Sequence, residues 1–275
     1  MILESPGAIL CQIGPFPVRY YGMMIGLGFV IALFFAGKLA KKMALSPDTL
    51  VSLALYSFIF GIVGARLYYV LLSLGHFIHH PLQIFATWNG GLAIHGGIIG
   101  GVIAGCLYLR SKKLPILPYA DVMGACIPLA QALGRWGNFF NSELYGLPVA
   151  ENFPLKLHIP IEYRLPQYQA YEYFHPTFLY ESVWDFLIFL FLYFYFIKKN
   201  KDAPGMTFFM YLAAYSIGRI FIEQLRIDAV SYVFNVPTPI LASAATLVFS
   251  LCAMLNIYNR AQRAQALSQP PEAEN

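Results

Sequence analysis

The chain has 275 residues, 58% of them hydrophobic and only 12% charged, with a formal net charge of +4. A soluble domain of this length carries about 25% charged residues; half that leaves too few charges to cover a globular surface, which excludes an ordinary water-soluble enzyme and points to an integral membrane protein. The positive balance does not make a nucleic-acid binder either, because eleven of the eighteen Lys and Arg residues fall in four short clusters beside apolar runs, a pattern that sets membrane topology.

Residues 1–18 show neither a basic start nor a clean apolar stretch, so no cleavable signal peptide is expected there. Runs of roughly 18 or more apolar residues read as membrane-spanning helices. They predict about seven, over 19–39, 49–74, 91–109, 117–136, 176–197, 205–225 and 237–258. Basic clusters follow the first span (Lys38, Lys41, Lys42), the third (Arg110, Lys112, Lys113), the fifth (Lys198, Lys199, Lys201) and the seventh (Arg260, Arg263). These are alternate ends of an odd set of spans, and the positive-inside rule places them in the cytoplasm. The N-terminus is then outside and the C-terminus inside, in an all-α fold with a small extracytoplasmic head and arm. One polytopic domain covers 1–263, and 264–275, with Pro270, Pro271 and two Glu, reads as a disordered tail.

Two outer loops stand out. Residues 75–90 carry His76, His79, His80 and Trp88, and residues 137–175 form the longest polar segment, rich in Pro and Tyr. A connection that long is usually functional or a small subdomain. In the third span Gly97, Gly101 and Gly105 recur every four residues, as do Gly96 and Gly100. Small residues at that spacing let helices approach closely in lipid, which predicts a helix central to the bundle. Of the cysteines, Cys11, Cys106, Cys126 and Cys252, three lie in apolar runs and none has a CxxC or metal spacing, so they read as small hydrophobes.

The informative residues are ionisable groups inside or at the outer end of spans, where charge costs ~2.5–3.5 kcal/mol by insertion scales. They are Arg66 in the second span, His95 in the third, and Arg135, Asn138, Asn141 and Glu143 where the fourth ends. His175 and Glu181 open the fifth, Arg219, Glu223 and Arg226 close the sixth as one helical stripe, and Tyr21 stands at the start of the first. Convergence from six helices at one depth predicts a shared polar cavity. Arginine binds phosphate in a forked geometry, so the cavity is expected to take an anionic lipid, with Glu143 and Glu223 holding the arginines. Snorkelling to the headgroups also fits Arg66, Arg19 and Arg226, and a lone intramembrane His also fits a packing role.

The segment GRWGNFFNSELYG, residues 134–146, resembles the pattern G-R-x-G-N-F-x-N-x-E-x-x-G of the bacterial prolipoprotein diacylglyceryl transferase family, with every fixed position matched. RYYGMMIGLGF, GGLAIHGGIIGG, HPTFLYES and GRIFIEQLR fit the same family in order; residues 147–174 match least, and nothing is carried over there. The resemblance implies transfer of an sn-1,2-diacylglyceryl group from phosphatidylglycerol to the lipobox cysteine thiol of a prolipoprotein signal peptide. Glycerol 1-phosphate leaves, in the bacterial inner membrane, with the site facing outward and with neither metal nor cofactor. It implies Arg135 and Arg219 on the phosphate and Asn138, Asn141, Glu143 and Glu223 shaping the site. Tyr21 would donate to a headgroup oxygen. A thiol of unperturbed pKa ~8.5 needs a base or a field favouring thiolate; His95 is the candidate base, an imidazole titrating ordinarily near ~6.5. A lipid or solute transporter remains the rival reading, since intramembrane arginines and glycine-rich helices suit that too. A purely structural subunit would not need these polar groups.

Overall fold

The computed structural model describes residues 1–14, 16–87, 90–228, 232–233 and 235–268; Trp88 of the first outer loop lies outside them. Helices dominate: α1 (Tyr20–Lys42), α2 (Pro47–Leu72), the short α3 (Leu74–His79), α4 (Ile94–Ser111), α5 (Ile116–Phe140), α6 (Thr177–Lys199), α7 (Met206–Glu223) and α8 (Thr238–Ser268). Six of these, α1, α2, α4, α5, α6 and α8, are long and apolar enough to cross a membrane. The predicted sixth span corresponds to α7, whose 18 residues include Arg219 and Glu223 and which falls outside that set. Helix α8 runs through Ser268, past the point where a disordered tail was expected to begin.

The chain forms two compact units, Ala36–Tyr119 and the remainder, Met1–Phe35 with Ala120–Asn275. In the first, α2 starts at a cap: the Ser46 hydroxyl accepts from the Thr49 amide at 3.2 Å, and Pro47 supplies a preset φ. The glycine ridge of α4 packs on α2 so tightly that a Cβ at Gly64 would lie 2.4 Å from the Gly96 carbonyl oxygen. The ridge thus serves a pair with α2, and the opposite face, with Ile98, Ile99, Val102 and Ile103, is exposed rather than buried at a bundle centre.

In the larger unit, α5, α6 and α7 are cross-linked by polar side chains. Ser182 donates to the Ala132 carbonyl at 2.8 Å, Trp184 to the Ala214 carbonyl at 3.0 Å and Tyr211 to Gln131 at 3.1 Å. Buried Asp121 on α5 caps α7, accepting from the Gly205 amide at 2.6 Å and the Phe208 amide at 2.8 Å. Those amides have no intrahelical acceptor, and each bond to a charged group contributes about 1.5–3 kcal/mol. Asp121→Ala is expected to lower the thermal midpoint in detergent clearly, with Asp121→Asn intermediate.

The long loop expected over 137–175 is a folded element. Strands β1 (Ile2–Glu4), β2 (Ile9–Ile13) and β3 (Phe16–Arg19) occupy the N-terminal segment, and β4 (Lys156–His158) and β5 (Tyr173–Phe174) the loop. Strands β1, β4 and β5 form one sheet, β1 parallel and β5 antiparallel to β4, while β2 and β3 form a hairpin. Phe139, Tyr145, Leu157, Ile159, Phe174 and Phe178 close a core between these strands and the helices α5 and α6. The Tyr145 hydroxyl donates to the Tyr163 carbonyl and accepts from the Leu165 amide, both at 2.9 Å, pinning the loop's middle. Of the four cysteines only Cys126 is fully buried.

Candidate functional site

Helix α5 continues to Phe140, past the predicted end of the fourth span at 136, so Asn138 is helical as well as Arg135. Three arginines converge on one carboxylate. Glu181 Oε2 lies 2.8 Å from Arg135 Nη2 and 3.1 Å from Arg219 Nη1, and its Oε1 lies 3.1 Å from Arg226 Nη1. Glu223 pairs with Arg219 one turn away on α7 and with Arg226 at 3.7 Å, and Arg226 is further held by Asp228. Tyr215 accepts from Arg135 at 3.3 Å. The cluster therefore draws on α5, α6, α7 and the segment after α7.

The burial is asymmetric, and it decides what the cluster can bind. The Glu181 and Glu223 side chains are 4% and 3% exposed, whereas Arg135 and Arg219 are 19% and 15% exposed. Glu181 and Glu223 thus lie deeper than Arg135 and Arg219, whereas in the third pair Asp228, at 22%, is more exposed than Arg226, at 9%. Three guanidiniums against three carboxylates leave the group balanced, so a buried ionic network is sustained without an uncompensated charge. A guanidinium has five N–H donors in a fixed fork, and those not spent on Glu181, Glu223 or Tyr215 suit a phosphate. Asp185, one turn along α6 from Glu181, is 1% exposed, and its Oδ2 has no hydrogen-bond partner.

The expected roles of two acids separate here. Glu223 does hold arginines. Glu143 instead accepts from the Asn138 amide at 2.9 Å and the Asn141 amide at 3.2 Å, so the motif's two asparagines and its acid form their own triad. Ser142 and Leu144, on either side of Glu143, have φ of +52° and +57°, a sharp turn that returns the chain towards α5. Tyr21 packs its ring on α5 at Gly137, where a Cβ would lie 2.6 Å from Tyr21 Cδ2; that contact explains the glycine in the motif. Gly146 bridges to Arg226, tying the motif's end to the arginine cluster. His175 shares a 3.1 Å bond with the Tyr180 hydroxyl, and burial lowers its pKa. His95 begins α4 in the other unit, its ring 6.2 Å from that of Tyr68.

Sequence reasoning places Glu181 in the shared polar cavity but gives it no role there. Its signal was present, an acid followed four residues later by Asp185 within an apolar helix, but its partners are distant in sequence. Arg226, open to a snorkelling reading, is instead a member of the network with a side chain only 9% exposed.

Fold and site together define a class: a multi-pass membrane protein in which arginines from neighbouring helices gather on a buried carboxylate. Residues 8–257 match the family model described as prolipoprotein diacylglyceryl transferase. Among curated relatives, the phosphatidylglycerol–prolipoprotein diacylglyceryl transferase of Trichormus variabilis is 44% identical over 83% of this chain and 82% of its own length. The protein of that name from Staphylococcus aureus is 42% identical over 90% of this chain and 88% of its own. That from Prochlorococcus marinus is 41% identical over 82% and 81%. The chain belongs to the prolipoprotein diacylglyceryl transferase family.

Proposed function

We propose that this chain transfers the sn-1,2-diacylglyceryl group of phosphatidylglycerol to the lipobox cysteine thiol of a prolipoprotein signal peptide, the first step of bacterial lipoprotein maturation. The observation that carries the reading is the pair Arg135 and Arg219, brought from two helices onto the single buried carboxylate of Glu181. The lipid phosphodiester sits on the free donors of these two arginines. The substrate sulfur forms a bond to the glyceryl carbon, the bond from that carbon to the phosphate oxygen breaks, and the electron pair leaves on glycerol 1-phosphate. The thiol proton goes to His95. The leaving phosphate gains negative charge as the bond breaks, so fixed guanidiniums stabilise the transition state more than the ground state. Asn138, Asn141, Glu143 and Tyr21 shape the headgroup side of the same site.

The four basic clusters support seven spans with α7 as the additional crossing, the N-terminus outside and the C-terminus in the cytoplasm. The site then opens outward from the bacterial inner membrane. The purified protein with phosphatidylglycerol and a lipobox peptide is expected to give a peptide mass gain of one diacylglyceryl unit; lipid translocation with no mass gain overturns the proposal. General-base assistance contributes roughly 10²–10⁴-fold, so His95→Gln is expected to lose at least about 100-fold in turnover. Near-normal turnover across about pH 6–8, the range flanking an ordinary imidazole, would show that His95 is not the base.

A further inference from the structure

Arg66 belongs to neither the arginine cluster nor a phosphate site, and its surroundings say why it is there. It is a buried residue of α2 whose guanidinium is spent entirely on main-chain carbonyls. Nε donates to Ile84 at 2.7 Å; Nη1 donates to Gly90 at 2.8 Å and to Gly91 at 2.9 Å; Nη2 donates to Gln83 at 2.5 Å and Ala86 at 3.5 Å. Its flat cation also lies 5.7 Å from the Tyr69 ring centre and 5.3 Å from that of Phe77. The fork is thereby committed to the chain entering α4, which excludes both snorkelling and a bound anion.

The rest of that chain is fixed to the same stretch of α2. Gly90 and Gly91 take φ of +86° and +80°, and a Cβ at Gly91 would lie 2.6 Å from Arg66 Nη1. The Ala93 amide donates to the Ala65 carbonyl at 3.0 Å, and Gly96 abuts Tyr68 and Gly64. His95 lies between those two anchors, beside Tyr68. Residues 64–69 of α2 thus set the position of the first turn of α4 on both sides of the imidazole.

We infer that Arg66 is a positioning residue for His95, acting by fixing the main chain at 83–86 and at 90–91 so that the imidazole meets the substrate thiol. The inference rests on the role of His95 proposed above. A lysine has one nitrogen and three donors in place of a planar fork with five, so Arg66→Lys keeps the charge but cannot satisfy this set of carbonyls. The test is a double-mutant cycle in the full-length protein, with Arg66→Lys, His95→Gln and the pair, assayed with phosphatidylglycerol and a lipobox peptide and normalised to folded protein. Arg66→Lys is expected to lower kcat about ten- to a hundred-fold, the size that a misplaced catalytic group costs, with KM for phosphatidylglycerol within about twofold. In the His95→Gln background the same change should have little further effect, because residues acting as a unit are non-additive.

A full, multiplicative loss in the double variant overturns the positioning role while leaving His95 as base. A His95→Gln enzyme of unchanged turnover overturns both. An Arg66→Lys protein of unchanged kcat overturns the positioning role alone. Should Arg66→Lys fail to fold, Gly91→Ala, which presses a methyl group on the same guanidinium, is put through the same cycle with the same expected non-additivity.

Discussion

Arg135→Ala and Arg219→Ala are each expected to abolish measurable diacylglyceryl transfer while the protein still inserts and survives purification. The chemical loss follows from geometry. Each arginine comes from a different helix and each has its position set by Glu181 Oε2, at 2.8 Å and 3.1 Å, so neither can take the other's place on the phosphate. A charge-assisted bond is worth about 1.5–3 kcal/mol, and two or three directed at a developing dianion amount to several powers of ten in rate. Survival follows from redundancy. Breaking a buried pair costs about 3–5 kcal/mol when it leaves a charge alone, but Glu181 without Arg135 still has Arg219 and Arg226. Lysine variants restore charge without the fork, so they are expected to recover a small fraction of activity at most. Transfer by peptide mass, beside a thermal melt in detergent, checks this; a lysine variant of normal turnover would show that charge alone suffices and that the fork is not used.

Glu181→Gln is expected to lower kcat by at least about 100-fold, an oxyanion-site magnitude, and to raise KM for phosphatidylglycerol much less. The substitution keeps size and removes the charge that holds three guanidiniums, leaving three cations against Glu223 and Asp228. Repulsion then moves Arg135 and Arg219 apart. Ground-state binding of a monoanionic diester tolerates that movement better than stabilisation of the more highly charged leaving phosphate. Steady-state kinetics at saturating peptide separates the two constants. A rise in KM with kcat unchanged would mean that Glu181 only supports uniform binding.

Much of this was legible from residues alone, for identifiable reasons. Apolar runs located five of the six long helices to within about four residues at each end, and the start of the sixth, α8, because in lipid the whole segment must be apolar and hydrogen-bonded to itself. Arg135 and Arg219 stood out because charge in such a segment is costly, and the motif around Arg135 named the family. Helix α7 was legible as a sixth span, yet it falls outside the set apolar enough to cross a membrane, since Arg219 and Glu223 make it less apolar. The hub at Glu181 was not legible: its partners stand at positions 135, 219 and 226, and no local pattern reports which helices face one another. The cage around Arg66 was hidden for a different reason. Its acceptors are main-chain carbonyls, and those carry no residue-type signal. Strands β1 to β5, two to five residues each, are too short for an alternation to register.

Helix α7 is fastened at both ends. Its first turn is capped by Asp121 of α5, and its last turn carries Arg219, bound to Glu181 of α6. A helix pinned in this way can neither piston along its axis nor roll on its own, because either motion exposes a buried charge. Helices α5, α6 and α7 consequently move as one block, and the arginines keep their spacing through each turnover. A rearrangement confined to other segments of the chain then leaves the spacing of Arg135 and Arg219 as it is.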